Sequence, residues 1–119
     1  MVIDDELDLA KLYSEYLQIH GVDSVYFTDP NLALKEFKNN PHKYSTIIAD
    51  YRMPEMSGLE LASKIRKLTS DVKIFLLTAY ELKDKENSSE YKQAKIERIL
   101  QKPIRMKELQ QQVIPLISQ

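Results

Sequence analysis

Ser45-Thr46-Ile47-Ile48-Ala49-Asp50 is the stretch on which the architecture of this chain turns. Ile47-Ile48-Ala49 is apolar throughout, without polar alternation, the pattern of a parallel strand covered on both faces. Such a strand belongs in the middle of a sheet. Upstream, Met1-Val2-Ile3 and Val25-Tyr26-Phe27 are short runs of the same kind, and Ile74-Phe75-Leu76-Leu77 and Ile99-Leu100 follow downstream. Helical periodicities lie between and after them. Leu9, Leu12, Tyr13, Tyr16 and Leu17 line one face before Gly21 stops the first helix. Asp29 can cap a second helix that has Pro30 at its first position and Ala33, Leu34 and Phe37 inward. Ser57 and Glu60 form a candidate capping box for a third helix, with Gly58, Leu61, Ala62, Ile65 and Leu68 as its buried stripe. Leu109, Val113, Leu116 and Ile117 give the last helix its apolar face, and Pro115 should kink or shorten it. The polar segment 80–98 offers only Leu82, Tyr91, Ala94 and Ile96 to a core, which predicts a short, mobile fourth helix starting near Asn87 or Ser88.

Five strand–helix units in alternation predict an α/β fold. The expected form is a flavodoxin-like (βα)5 three-layer sandwich around a parallel five-stranded sheet of order 2-1-3-4-5, built with right-handed crossovers. The 119 residues fit one domain spanning 1–119. Seventeen basic against 18 acidic residues give a net charge of -1, without the positive excess that binding a phosphate backbone requires, so direct nucleic-acid binding is not expected. With no cysteine there is no disulfide framework and no thiolate metal site, and no apolar run approaches a membrane span. A cytoplasmic location without membrane association is expected.

In such sheets function collects beyond the carboxyl ends of the strands, at the switch point in strand order. The unusual polar residues fall there: Asp4 and Asp5 after the first strand, Asp50 after the third, Thr78 after the fourth, and Lys102-Pro103 after the fifth. Three carboxylates on neighbouring strands cannot all stay ionised without a compensating cation, and an oxygen-only ligand set favours Mg²⁺ or Mn²⁺ over zinc. Lys102 adds a fixed positive charge and Thr78 a hydroxyl donor. A carboxylate nucleophile beside a metal and two groups suited to phosphoryl oxygens implies phosphoryl transfer to Asp50. Each residue alone has an ordinary reading, as cap, turn former or solvated charge. Their ordered recurrence at four strand ends is what sets them apart.

Val2-Ile3-Asp4-Asp5-Glu6, Ile48-Ala49-Asp50-Tyr51-Arg52-Met53-Pro54-Glu55-Met56-Ser57-Gly58, Leu77-Thr78-Ala79 and Lys102-Pro103 together resemble the signature of the receiver domains of two-component response regulators, including the chemotaxis regulators. The resemblance covers essentially the whole chain. It implies that Asp50 is the phosphoacceptor and that Mg²⁺ is held by Asp5, Asp50 and the Arg52 carbonyl, with Asp4 acting through water. It implies that Thr78, the Ala79 amide and Lys102 bind the phosphoryl group, and that the Lys102-Pro103 bond is cis. The partners would be a sensor histidine kinase or phosphotransfer protein as donor and an output domain or target protein meeting a surface near the fourth helix, fifth strand and fifth helix. The resemblance implies a domain that undergoes Mg-dependent self-phosphorylation and slow autodephosphorylation, not an enzyme acting on a separate substrate.

The chain departs from the family pattern in places. Ile99 stands where relatives carry a Tyr or Phe that rotates when the threonine engages phosphate, and the Gly-Ala pair common before the fifth strand is absent. Arg52 and Tyr80 occupy the two positions that tune access of the hydrolytic water in relatives, and little strand precedes Asp4, as in a chain trimmed at its start. A flavin-binding alternative is disfavoured by Asp4, Asp5 and Glu6, which would repel an unchelated phosphate. A phosphoaspartate phosphatase would need an acid-base Asp at position 52, which is Arg52. A receiver-like interaction module working without phosphorylation is the remaining alternative.

Overall fold

The computed structural model describes residues 1–79 and 88–117. Its sheet has the predicted order β2-β1-β3-β4-β5 and every pairing is parallel. The strands are β1 (Val2–Ile3), β2 (Tyr26–Phe27), β3 (Thr46–Asp50), β4 (Lys73–Thr78) and β5 (Arg98–Gln101). All five residues of β3 are buried, as a strand with neighbours on both edges and helices on both faces must be. Met1 and Val25, read as strand residues, lie just outside β1 and β2. They still serve the ladders, through Ile48 N donating to Met1 O and Val2 N donating to Val25 O, both at 2.9 Å.

Strand residues alternate between two cores. Ile3, Ile47, Ala49, Ile74 and Leu76 pack against α2 (Pro30–Asn39), α3 (Gly58–Arg66) and α4 (Ser89–Ala94). Val2, Ile48, Phe75, Leu77 and Leu100 pack against α1 (Leu7–Ile19) and α5, which runs as three consecutive segments, Met106–Glu108, Leu109–Val113 and Ile114–Ile117. This is the expected three-layer sandwich.

The helix boundaries follow from local chemistry. α1 ends in a Schellman motif, with Val22 N bonded to Leu17 O and Gly21 N to Gln18 O, and Gly21 takes the positive φ of 82° that this turn needs. Asp29 caps α2 through Asn31 N, and Ser57 caps α3 through Glu60 N, the hydroxyl half of the predicted box. Ser88 caps α4 through Tyr91 N, so the short fourth helix starts where its composition suggested. Ala94 is buried and Tyr91 and Ile96 pack on the core, whereas Leu82 lies outside the described residues.

Two expectations are corrected. Leu12 is 47% exposed, because α1 buries Ala10, Tyr13, Ser14 and Leu17 instead. Small Ala10 and Ser14 let the helix approach the sheet, and the Ser14 hydroxyl is satisfied by Ser24 Oγ at 2.8 Å. Leu68 is 44% exposed, since α3 ends at Arg66 and the stripe ends with it. Pro115 lies inside the last segment, Ile114–Ile117. The preceding turn, Leu109–Val113, widens into a π segment, which offers the chain a register that tolerates the missing proline N–H.

Arg66 ties the α3–α4 layer together. Its Nε donates to Ala94 O at 2.9 Å, Nη2 to Lys95 O at 3.2 Å, and Nη1 to Val72 O at 2.7 Å and Ser70 O at 3.1 Å. Burial pushes the guanidinium below its usual pKa, partly offset by the Glu97 carboxylate.

Candidate functional site

Parallel pairing places the carboxyl ends of β1, β3, β4 and β5 on one rim, and hydrogen bonds continue the ladders past the strand ends. Tyr51 N donates to Leu77 O at 2.7 Å and Lys102 N to Thr78 O at 2.8 Å, so the backbone beside Asp50, Thr78 and Lys102 is held by the sheet itself. Asp50 and Thr78 are the last residues of β3 and β4, each strand running one position past its expected end. From the other side, Gly58 N donates to Tyr51 O at 2.8 Å, and a Cβ on Gly58 would lie 2.5 Å from Asp50 O. Glycine is needed there because α3 starts against the Asp50 peptide.

The carboxylates of Asp4, Asp5 and Asp50 offer oxygens within 4.8 Å of one another. Asp4 is fully buried, Asp50 nearly so, and Asp5 exposed. Lys102 Nζ lies 3.0 Å from Asp4 Oδ2 and 3.3 Å from Asp50 Oδ2. Asp4 Oδ1 accepts from Glu6 N at 2.9 Å. Oδ2 is buried and faces the Lys102 ammonium. Three acidic groups thus face one ammonium.

Burial and then the Asp4 charge push the Asp50 carboxyl up to about 6, against the opposing pull of Lys102. For Lys102, burial alone would lower the pKa. The hydrogen bond and charge of Asp4, followed by Asp50, outweigh it, and the ammonium is raised.

A cavity of about 180 Å³ opens at this rim, lined by Asp5, Glu6, Asp50, Arg52, Thr78, Ala79 and Lys102. It brings together every residue expected to bind the metal or the phosphoryl group except Asp4, which is fully buried. The Lys102-Pro103 bond is cis, as the resemblance implied. Tyr80 lies outside the described residues. Ile99 is half-buried, pairs with Leu76 across β4–β5, and packs on the core that α4 covers.

Tyr13 was read only as a core residue. Its ring is buried, and it lines a second cavity with Ala79, Lys102 and Pro103. Burial raises its hydroxyl pKa, Lys102 opposes, and Asp4, Asp50 and Glu6 add to the rise, so it feels the charges of the site. Nothing in the α1 periodicity distinguishes it from the apolar positions around it.

Comparison with known proteins gives the class. The family described as response regulator receiver domain matches residues 1–114. The chain is 32% identical over 84 residues to the transcriptional regulatory protein RprY of Bacteroides fragilis, covering 71% of this chain and 35% of that protein. It is 31% identical over 109 residues to the response regulator RppA of Synechocystis, covering 92% of this chain and 46% of that protein. It therefore spans less than half the length of these two relatives. Among solved structures, the response regulator TrrA of Thermotoga maritima in complex with Mg²⁺-BeF shares 36% identity at a TM-score of 0.80, covering 97% of this chain and 95% of that one. The chemotaxis protein CheY4 of Vibrio cholerae shares 25% at a TM-score of 0.81, covering 92% and 89%.

This chain belongs to the response regulator receiver domain family, the receivers of two-component signal transduction. No helix among the described residues is long and apolar enough to cross a membrane.

Proposed function

We propose that Asp50 accepts a phosphoryl group from the phosphohistidine of a sensor kinase or phosphotransfer protein, in a reaction that needs Mg²⁺. The observation that carries this is the convergence of Asp50, Thr78, Ala79 and Lys102 on one cavity whose three neighbouring carboxylates lie within 4.8 Å. The residues fit a hard cation: the donors are all oxygen, and three carboxylates, two of them buried, share a single ammonium. Asp5, Asp50 and the Arg52 carbonyl would hold it, with Asp4 acting through water. When bound, Mg²⁺ supplies positive charge to the oxygens of the transferred group.

The chain's own groups do the rest. Asp50 is the nucleophile, and burial among acids keeps it protonated at higher pH than a free carboxyl, so relief of that charge crowding also frees the attacking oxygen. Lys102 stays cationic and is placed to move from the Asp50 carboxylate to its phosphate. Thr78 supplies a hydroxyl and Ala79 a backbone N–H for the remaining oxygens. A modified Asp50 would bias the α4-β5-α5 surface toward an output partner, within a cytoplasmic pathway and without direct nucleic-acid binding by this domain.

The test is labelling by acetyl phosphate with Mg²⁺, followed by intact mass. Wild type should gain one phosphoryl group, and Asp50→Asn and the Mg-free protein should gain none. A wild type that takes no label under conditions where TrrA does would refute phosphoacceptance and favour an interaction module that works without phosphate.

A further inference from the structure

Residues 51–56, between Asp50 and the Ser57 cap of α3, form a loop without regular secondary structure. Its path is set on the inner side by Met53 and Met56, which are buried in the core that Ala33, Leu34 and Phe37 of α2 share. Arg52, Pro54 and Glu55 face outward. The first peptide of the loop is fixed by the sheet and by α3, through Tyr51 N on Leu77 O and Gly58 N on Tyr51 O.

α2 also reaches the outer side of the loop. Asn31 Nδ2 donates to Glu55 Oε2 at 2.6 Å, across 24 residues of sequence. A carboxylate only accepts, so the amide must present its nitrogen. The donor stands on a fixed base. Buried Pro30 holds φ at the start of α2, and Asp29 Oδ1 accepts from Asn31 N at 2.8 Å. A cavity of about 290 Å³ between α2 and the loop is lined by Asp29, Pro30, Pro54 and Glu55 together with Asp5. The bond therefore stands beside the exposed carboxylate of the acidic group.

On the reading above, the Arg52 carbonyl, three residues before Glu55, faces Mg²⁺. That ion demands near-ideal octahedral geometry, so a carbonyl on a loose loop makes a poor ligand. We propose that Asn31 is a positioning residue for the metal site: by holding Glu55 it closes the loop against α2 and keeps the Arg52 carbonyl in place. The assignment rests on the phosphoacceptor reading.

Mg²⁺ titrations followed by amide shifts test it. Asn31→Ala leaves the charge of the site unchanged and puts a good helix former at an exposed position, so it removes the bond and little else. It should raise the Mg²⁺ Kd by about three- to tenfold, the low end of what losing a partner behind a metal ligand costs, with the metal-free melting temperature nearly unchanged. Combining Asn31→Asp with Glu55→Gln keeps the total charge of the pair and rebuilds the bond with donor and acceptor reversed, and should return Kd close to wild type. Labelling by acetyl phosphate gives a second readout: Asn31→Ala should need more Mg²⁺ for half-maximal rate and reach the wild-type rate at saturation. An unchanged or lower Kd in Asn31→Ala, or a loss that the reversed pair does not rescue, overturns the assignment alone. So does a lower melting temperature with Kd unchanged, which would make the bond a support of folding only. A wild type that binds no Mg²⁺ overturns the functional reading, and the assignment with it.

Discussion

Asp50 is caught between two demands, since burial and the Asp4 charge oppose its ionisation and Lys102 favours it. The balance raises its pKa from the ordinary carboxyl value of 3.8 to about 6. Between those two values the folded protein binds more protons than the unfolded chain, so stability falls as pH rises from about 4 to about 6. The ionised carboxylate then costs on the order of 2 kcal/mol at neutral pH in the absence of metal. We predict that Asp50→Asn stabilises the metal-free protein by about 1–2 kcal/mol at pH 7, has little effect at pH 4, and loses its advantage in millimolar Mg²⁺. Urea unfolding at the two pH values, with and without Mg²⁺, measures this. A variant no more stable than wild type at pH 7 without metal contradicts the charge crowding inferred for the site.

The elements show how far pattern alone carries. Strand ends were legible because parallel pairing sends them all to one rim, so Asp4, Asp5, Asp50, Thr78 and Lys102 could be gathered from spacing. The inward face of α1 was not, because Leu12 outranks Ala10 and Ser14 in hydrophobicity while close approach to the sheet selects the small residues. Arg66 was invisible for a related reason. A basic residue in the last turn of a helix reads as a partner of the helix dipole, and two of its four carbonyl partners lie 28 and 29 residues away. Nor does the apolar stripe Leu109, Val113, Leu116 and Ile117 tell a π turn from an α turn. At this scale Ile99 carries a prediction, since it packs on the α4 side without ring or hydroxyl. Ile99→Ala should cost about 1–3 kcal/mol, less than a fully buried isoleucine because this one is half-buried. Beryllofluoride-induced shift changes at 89–92 should survive in that variant. If they vanish, Ile99 transmits the signal and α4 does not respond on its own.

For the whole molecule, the acidic rim couples metal to folding. A cation bound only by the native state adds RT ln(1 + [L]/Kd), about 2.7 kcal/mol at a hundred times Kd. Millimolar Mg²⁺ should therefore raise the melting temperature by several degrees, and Asp5→Asn should remove most of the rise while leaving the metal-free melting point nearly unchanged, because Asp5 is exposed. An Asp5→Asn protein that keeps the full Mg²⁺ shift would place the cation elsewhere. The close approach at Gly58 has a different reach. With Asp50 O 2.5 Å from the place any side chain would start, the first turn of α3 and the phosphoacceptor peptide share one volume. In a saturation screen for signalling-dead variants, Gly58 will therefore score as intolerant as Asp50 while contributing no chemistry. The two differ in what can suppress them: compensating changes that let α3 back away can revive a Gly58 allele, and none can revive an Asp50 allele.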